Sequence, residues 1–200
     1  MRYLINFFLL LITLSSGYTA SALSLSEIRE TLAVSQVLKT EFLQEKYLSS
    51  LDRTLKSSGT LTVVGSENII WRQKLPFQLD LVITGDALVQ NMNGEKTVLT
   101  RKDNPQMFDI SRLMMNIFAV NGQIENHFAV QSSGTLENWK IILTPQDEML
   151  DKVFRTITLE GDRNINTIII ADQSGDLTTI HLTNTEHNAL LTAEDKACLE

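Results

Sequence analysis

Side chains capable of catalysis or metal binding are few and scattered in this sequence of 200 residues. The three histidines, His127, His181 and His187, form neither an H-x-x-x-H nor an H-E-x-x-H pair. The single cysteine, Cys198, cannot build a structural zinc site, which needs several thiolate or imidazole ligands. His181 lies on a predicted strand and His187 in a polar tail, so both favour structural or solvated roles. These residues predict no metal site.

Motifs for nucleophilic catalysis or phosphate binding are also absent from the sequence. It contains no G-x-S-x-G, P-loop or G-x-G-x-x-G pattern. Ser58-Gly59 and Ser133-Gly134 are typical of turns, and Asp147-Glu148 is typical of solvated loops. Asp172 and Asp176 lack the spacing of a calcium loop. A carboxylate pair assembled by folding stays open at this point, but we expect no enzyme and no cofactor.

The first residues have the pattern of a secretory signal. Arg2 precedes an apolar run from Leu4 to Leu14, and Ala20-Ser21-Ala22 supplies small residues for a signal peptidase. The run is about half the roughly 20 apolar residues of a membrane span. No cysteine follows it to receive acyl chains. We therefore expect residues 1–22 to be removed after Ala22, and residues 23–200 to form one soluble periplasmic domain.

The charge of that domain excludes one class of partner. It would carry 16 basic and 24 acidic residues, a net charge of −8, once Arg2 is removed. A chain this acidic is unsuited to nucleic acid, whose binding depends on basic surfaces. With one cysteine it has no internal disulfide, and we expect a monomer whose polar tail, from about Asn184, is loosely held.

The hydrophobic pattern is mainly that of strands. Ser24 or Ser26 can cap a short helix that ends near Val34, and alternation then predicts a long strand from Val37 to Leu48. Ser57-Ser58-Gly59 predicts a turn. The clearest strand runs from Phe77 to Thr84, with Phe77, Leu79, Leu81 and Ile83 on one face. Leu61 and Val63 begin another predicted strand, and further predicted strands are 69–73, 87–92, 97–101, 128–131, 139–143, 153–160, 166–171 and 177–182.

A second helix is predicted in the middle of the chain. Its apolar stripe combines flexible and aromatic side chains at helical spacing: Ile110, Leu113, Met114, Ile117 and Phe118. Periodicity alone favours ordinary core over a ligand-binding surface. Roughly ten short strands with two inserted helices predict an α+β fold. Its sheet would be a large curved antiparallel sheet or open barrel, with the helices over the concave face.

Several short motifs in order resemble one known family. The first half contains Phe42-Leu43-Gln44, Ser57-Ser58-Gly59, Trp71 and Pro76. The second half contains Trp139 to Pro145, Ile157 to Gly161, and Ser174-Gly175-Asp176. Together, over about residues 25 to 183, they resemble the outer-membrane lipoprotein carrier protein (LolA) family, in a divergent branch.

The resemblance implies a fold and a function. The fold would be an open, strongly curved antiparallel half-barrel with a helical lid over an apolar cavity. The function would be to carry a lipidic cargo, such as lipoprotein acyl chains, from an inner-membrane exporter to an outer-membrane acceptor. The alternative is a lipid sensor or adaptor of the same fold. Implied cavity and lid residues are Phe42, Trp71, Phe77, Leu79, Leu81, Ile83, Leu113, Met114, Ile117, Phe118, Trp139, Ile141 and Leu143. In the family, an arginine on an early strand helps to hold the lid closed. This sequence has Arg72 just after Trp71, but the resemblance does not equate Arg72 with that arginine.

Overall fold

The computed structural model describes residues 23–32, 36–65, 68–85, 87–103, 105, 108, 113, 117 and 124–199. Eleven strands lie in this part of the chain: β1 (Val37–Leu48), β2 (Arg53–Val64), β3 (Asn68–Leu75), β4 (Leu79–Ile83), β5 (Ala87–Met92), β6 (Glu95–Thr100), β7 (Phe128–Thr135), β8 (Asn138–Pro145), β9 (Phe154–Gly161), β10 (Ile165–Asp172) and β11 (Leu177–His187). The helices are α1 (Leu25–Thr31), α2 (Glu148–Asp151) and α3 (Ala193–Leu199), with a 3-10 turn at Ile124–Asn126.

The strands form one antiparallel sheet with the order β6-β5-β4-β3-β2-β1-β11-β10-β9-β8-β7. Every neighbour follows in sequence except the central pair, in which β1 joins the last strand, β11. Within the described residues β6 and β7 are the two edges and do not pair, so the sheet is open. The predicted α+β class and open antiparallel sheet are confirmed.

The sheet curves around one apolar core. Laid flat, eleven strands would be about 48 Å wide. Yet one buried cluster joins Phe42 of β1 and Ile83 of β4 with Ile157 of β9, and it also contains Ile28 of α1 and Ile117. The helical residues therefore fill the concave side of the sheet, and both ends of the sheet contribute to the same core.

Neighbouring side chains on a strand point alternately to the buried face and the exposed face, as the sequence predicts. In β1, Phe42 is buried and the adjacent Leu43 is exposed over 44% of its surface. A period of two sends neighbouring side chains to opposite faces. Ser24 caps α1 as predicted and forms a capping box with Glu27.

The turn predicted at Ser57-Ser58-Gly59 is wrong, because these residues lie inside β2. The chain turns instead between β1 and β2, where Asp52 has a φ of 48°. Gly59 is required for another reason: a Cβ there would overlap the backbone oxygen of Arg72 in β3. Turn-forming residues inside this strand thus mark a close approach of two backbones.

Strand limits differ elsewhere from the predicted ones. Phe77 lies outside β4, after a cis Leu75-Pro76 peptide bond, and its side chain is 50% exposed. Asn184 lies within β11, and α3 follows, so regular structure continues beyond the point at which the sequence predicts a loose tail.

Two residues of the predicted central helix are described, Leu113 and Ile117, and both have helical backbone, as do Pro105 and Phe108 before it. Ile110, Met114 and Phe118 of its apolar stripe lie outside the described residues. No helix in the described part of the chain is long and apolar enough to cross a membrane.

Candidate functional site

An aromatic pair marks the concave face at the middle of the sheet. The rings of Phe42 on β1 and Trp71 on β3 stack with centroids 3.7 Å apart and planes at 26°. They belong to strands that are not neighbours, since β2 lies between them. Gly59 of β2 pairs with Phe42, and because it has no side chain the two rings can meet across it.

The concave face has a tightly closed half. On β8, β9 and β10 six inward side chains have no exposed surface: Trp139, Ile141, Leu143, Ile157, Leu159 and Ile168. Trp139 is additionally fixed in place. Its indole Nε1 donates a hydrogen bond to the Asp162 carbonyl at 2.5 Å, and a Cβ on Gly161 would lie 2.5 Å from its ring. This half of the face is packed core.

The other half of the concave face is less enclosed. Trp71, Leu81 and Leu88 pack against the core cluster but keep part of their surface exposed, on β3, β4 and β5. Leu79, also on β4, is partly exposed. Apolar surface that stays accessible beside a packed core is the surface available to an apolar ligand.

The sequence-predicted site residues divide between these regions. Phe42, Trp71, Leu79, Leu81 and Ile83 come together on β1, β3 and β4. Among the remaining predicted residues, Trp139, Ile141 and Leu143 lie in the closed half, Leu113 and Ile117 are buried helical residues, Phe77 lies exposed at the sheet end, and Met114 and Phe118 fall outside the described residues.

The helical side of the site is tied to the sheet by polar contacts. Arg29 of α1 forms an ion pair with Glu125 of the 3-10 turn, with Nη2 and Oε2 2.6 Å apart. The Arg29 hydrogen bond holds the pKa of the Glu125 carboxyl below its usual value. Ser132 of β7 donates a hydrogen bond to the carbonyl of Leu23, which anchors the chain just before α1.

Polar side chains lie on the concave face next to the aromatic pair. Gln44 and Ser57 are opposite each other on β1 and β2, and Gln73 of β3 is buried. Gln73 donates from Nε2 to the Phe77 carbonyl at 3.1 Å. The buried Ser57 hydroxyl has no hydrogen-bond partner in the described part of the chain. The apolar surface thus gives way to polar groups toward one end of the sheet.

Arg72 points away from this site. Because it follows Trp71 in an extended strand, its side chain lies on the outer face. There its guanidinium lies 2.8 Å from Asp195, 3.6 Å from Asp80 and 3.7 Å from Glu194. Burial works against ionisation of Asp195, but hydrogen bonds from Thr192 and Arg72 outweigh it and lower its pKa. Sequence reasoning missed this cluster entirely.

The three histidines contact three different partners and do not form a shared catalytic or metal centre. His127 Nδ1 lies 2.5 Å from Asp147, His181 Nδ1 lies 3.4 Å from Thr167, and His187 Nε2 lies 2.6 Å from Asn164. Among the residues that the structure describes, no group of three or more His, Cys, Asp or Glu side chains is arranged to hold a metal ion.

Solved structures of low sequence identity match this chain with TM-scores below 0.5. A LolA superfamily protein from Nitrosomonas europaea is 12% identical with a TM-score of 0.48, covering 90% of this chain and 99% of its own. The Pseudomonas aeruginosa MucA/MucB complex is 14% identical with a TM-score of 0.45, and the match covers 85% of this chain and 58% of that chain. LprF from Mycobacterium bovis is 13% identical with a TM-score of 0.36, and the match covers 86% of this chain and 97% of that chain.

Sequence comparison gives the family. No curated protein sequence matches the chain. The family model of the outer membrane lipoprotein carrier protein LolA, however, matches residues 33–195, which include all eleven strands. This chain therefore belongs to the LolA family of outer-membrane lipoprotein carrier proteins.

Proposed function

We propose that this protein is a periplasmic carrier that shuttles a lipidic cargo from the inner to the outer membrane. The cargo is the acyl portion of a lipoprotein, or another lipid or polyene, held against the concave face. The observation that carries the proposal is the partly exposed apolar surface of Trp71, Leu81 and Leu88 in a LolA-family fold. An inner-membrane exporter would load the carrier, and an outer-membrane acceptor would unload it.

The physical basis of binding is burial of hydrocarbon. Each methylene removed from water contributes about 0.8 kcal/mol, so one acyl chain contributes on the order of 10 kcal/mol before ordering costs. Burial of this size is sufficient for stable binding. It also means that release requires a competing site or movement of the helical residues Leu113 and Ile117.

Native mass spectrometry of protein isolated from the periplasm tests whether the protein binds a cargo. We expect a bound lipid of defined mass, and uptake of a fluorescent fatty acid by the delipidated protein. Absence of both bound lipid and fatty-acid uptake would contradict the proposal. Transfer of the fatty acid from donor to acceptor vesicles separates a carrier from a sensor or adaptor, which binds without passing the lipid on.

The two tryptophans provide an internal readout of the binding face. Trp71 lies in the partly exposed half, whereas Trp139 is completely buried in the closed half. A fatty acid brominated on its acyl chain should quench Trp71 and leave the Trp139 emission nearly unchanged. In Trp71→Phe the remaining emission should therefore resist quenching. Equal quenching in the wild type and in Trp71→Phe would place the cargo elsewhere.

Adjacent residues on β1 supply a matched pair of variants. Phe42→Ala removes the ring that stacks on Trp71, while Leu43→Ala removes an exposed side chain from the opposite face. We expect fatty-acid affinity to fall about tenfold or more in Phe42→Ala and to stay unchanged in Leu43→Ala. Thermal unfolding of both variants, measured first, ensures that binding is compared between folded proteins.

Export is part of the same proposal. Leu23, the residue after the proposed cleavage site, is buried and accepts a hydrogen bond from Ser132. A mature chain that begins at Leu23 would thus keep its first residue packed against β7. N-terminal sequencing of the periplasmic protein should begin at Leu23, and Ala22→Asp should leave unprocessed precursor in the membrane fraction.

A further inference from the structure

Exposed apolar side chains gather at one end of the sheet. We define the apolar rim as Tyr47, Leu51, Leu55, Leu75, Phe77 and Met92. They account for half of the twelve large apolar side chains exposed among the described residues, with exposures from 38% for Tyr47 to 63% for Leu51. Monomeric soluble proteins seldom keep so many apolar side chains on one region of the surface unless it binds something.

Strand register places the rim residues on three successive connections at the same end. They lie on the β1–β2 hairpin, the β3–β4 connection and the β5–β6 hairpin. These connections extend over about four strand spacings, or about 19 Å. The β1–β2 hairpin projects farthest, because residues 53–57 of β2 pair with β1 while β3 begins its pairing only at Ser58.

The segments that carry the apolar rim are basic, although the whole chain is acidic. Residues 45–56, 74–78 and 92–96 contain five basic and three acidic residues, a net charge of +2, against −7 for the whole chain. Two of the acidic groups are engaged within the hairpin. Glu45 lies 2.5 Å from Lys56, and Asp52 accepts a hydrogen bond from the Tyr47 hydroxyl at 3.0 Å.

The net positive charge of these segments lies on the β1–β6 side of this end. The next turn, between β10 and β11, carries Asp172 and Asp176, which accept hydrogen bonds from Ser174 and Ser49. The charge gradient along the end of the sheet would therefore tilt the β1–β6 side toward an anionic surface and the β10–β11 turn away from it.

We infer that the apolar rim docks this protein on an anionic lipid bilayer. Exposed leucine, phenylalanine and methionine side chains at three successive connections suit insertion into the boundary between headgroups and acyl chains. Lysine and arginine stems beside them can lie along the apolar side chains while the charged ends reach lipid phosphates. The rim would thus hold the carrier against a membrane independently of what its concave face binds.

Vesicle flotation with the purified protein tests the inference. We expect binding to vesicles of phosphatidylethanolamine with phosphatidylglycerol, and much weaker binding to phosphatidylcholine alone. Binding to the anionic vesicles should fall when salt is raised from about 0.1 M to about 1 M, since screening shortens from about 10 Å to about 3 Å. The doubly substituted Leu51→Ser, Leu55→Ser protein should bind about tenfold or more weakly.

Matched controls lie elsewhere on the surface. Leu190 is 90% exposed, more than any rim residue, and lies beyond the opposite end of β11, so Leu190→Ser should leave vesicle binding unchanged. Arg53→Gln with Lys74→Gln should weaken binding to anionic vesicles about tenfold, and Lys196→Gln should not. Because all these side chains are exposed, each variant should unfold at the wild-type temperature.

Three results would overturn the inference. One is equal binding of the rim variants and the wild type to anionic vesicles. Another is equal binding to anionic and zwitterionic vesicles. The third is binding to native inner-membrane vesicles that is lost after protease treatment, with none to pure lipid, which would assign the rim to a membrane protein instead.

Discussion

Arg72 and Asp195 lie 2.8 Å apart, 123 residues apart in sequence, and join β3 to α3 on the outer face of the sheet. The Asp195 side chain is fully buried, and Lys39 of β1 lies 3.8 Å from its second oxygen. Since Trp71 occupies the concave face and Arg72 the outer face, one dipeptide links the candidate cargo surface to the C-terminal helix. Arg72 is therefore a docking residue for α3 in this structure.

Removing the Asp195 carboxylate should destabilise the protein. Asp195→Ala removes the shortest ion pair of the largely buried Arg72 and leaves the longer ion pairs to Asp80 and Glu194. Loss of one partner of a buried ion pair costs several kcal/mol, and the remaining contacts reduce this to about 2–3 kcal/mol. Urea unfolding measures the change. Glu194→Gln is the control, because that side chain is 70% exposed and should alter stability by less than about 0.5 kcal/mol.

Cys198 should report whether α3 is docked. Its sulfur lies 3.9 Å from Nη2 of Arg72, and its side chain is partly buried. If Asp195→Ala releases the helix, the thiol should react with a disulfide reagent several times faster than in the wild type or in Glu194→Gln. Unchanged reactivity alongside reduced stability would mean that α3 stays in place and the cost arises elsewhere.

The stability supplied by Asp195 should depend on pH in one direction. Its pKa is lowered in the folded protein from the ordinary value of 3.8, because the hydrogen bonds from Thr192 and Arg72 outweigh burial. A lowered folded-state pKa gives stability that is fully present above 3.8 and is lost as pH falls through the folded value. The unfolding free energy of wild type minus Asp195→Asn should be constant near neutrality and shrink in acid. A difference that grows in acid would contradict this.

Gly59→Ala should be among the most damaging small substitutions. The added methyl would overlap the Arg72 carbonyl, and backbone on both strands would have to move. We expect a loss of about 3 kcal/mol in unfolding free energy. Gly65→Ala is the matched control. At Gly65 nothing lies within 4 Å of an added Cβ, so only its φ of 61° opposes the change, at a cost of about 1 kcal/mol. Similar losses at both sites would show that the close approach is absent.

Ile117→Ala should show how much the central helix contributes to the fold. Ile117 has no exposed surface and belongs to the same core cluster as Phe42 and Ile157. Truncating a fully buried isoleucine costs about 2–5 kcal/mol, measured by chemical unfolding. Leu190→Ala, at a highly exposed position, should leave the unfolding free energy nearly unchanged.

Local pattern was sufficient for most strands and for the start of α1. Alternation at Phe42 and Leu43 gives their opposite faces, and Ser24, one of two candidate caps, gives the helix start. The prediction failed at Ser57-Ser58-Gly59 because small polar residues suit both a turn and a strand that another backbone approaches closely. The Arg72 cluster was beyond local reasoning, since its partner is more than one hundred residues away.

The sequence by itself determined an antiparallel α+β protein with LolA-like motifs, because side-chain period, helix capping and motif order are local properties of the chain. Only the tertiary structure decided which half of the concave face is packed, which half keeps apolar surface exposed, and where Arg72 points. Those features depend on strand register and on the pairing of β1 with β11, which bring distant residues together. The same register gathers the apolar rim, whose members are separated in sequence by as many as 45 residues, at one end of the sheet.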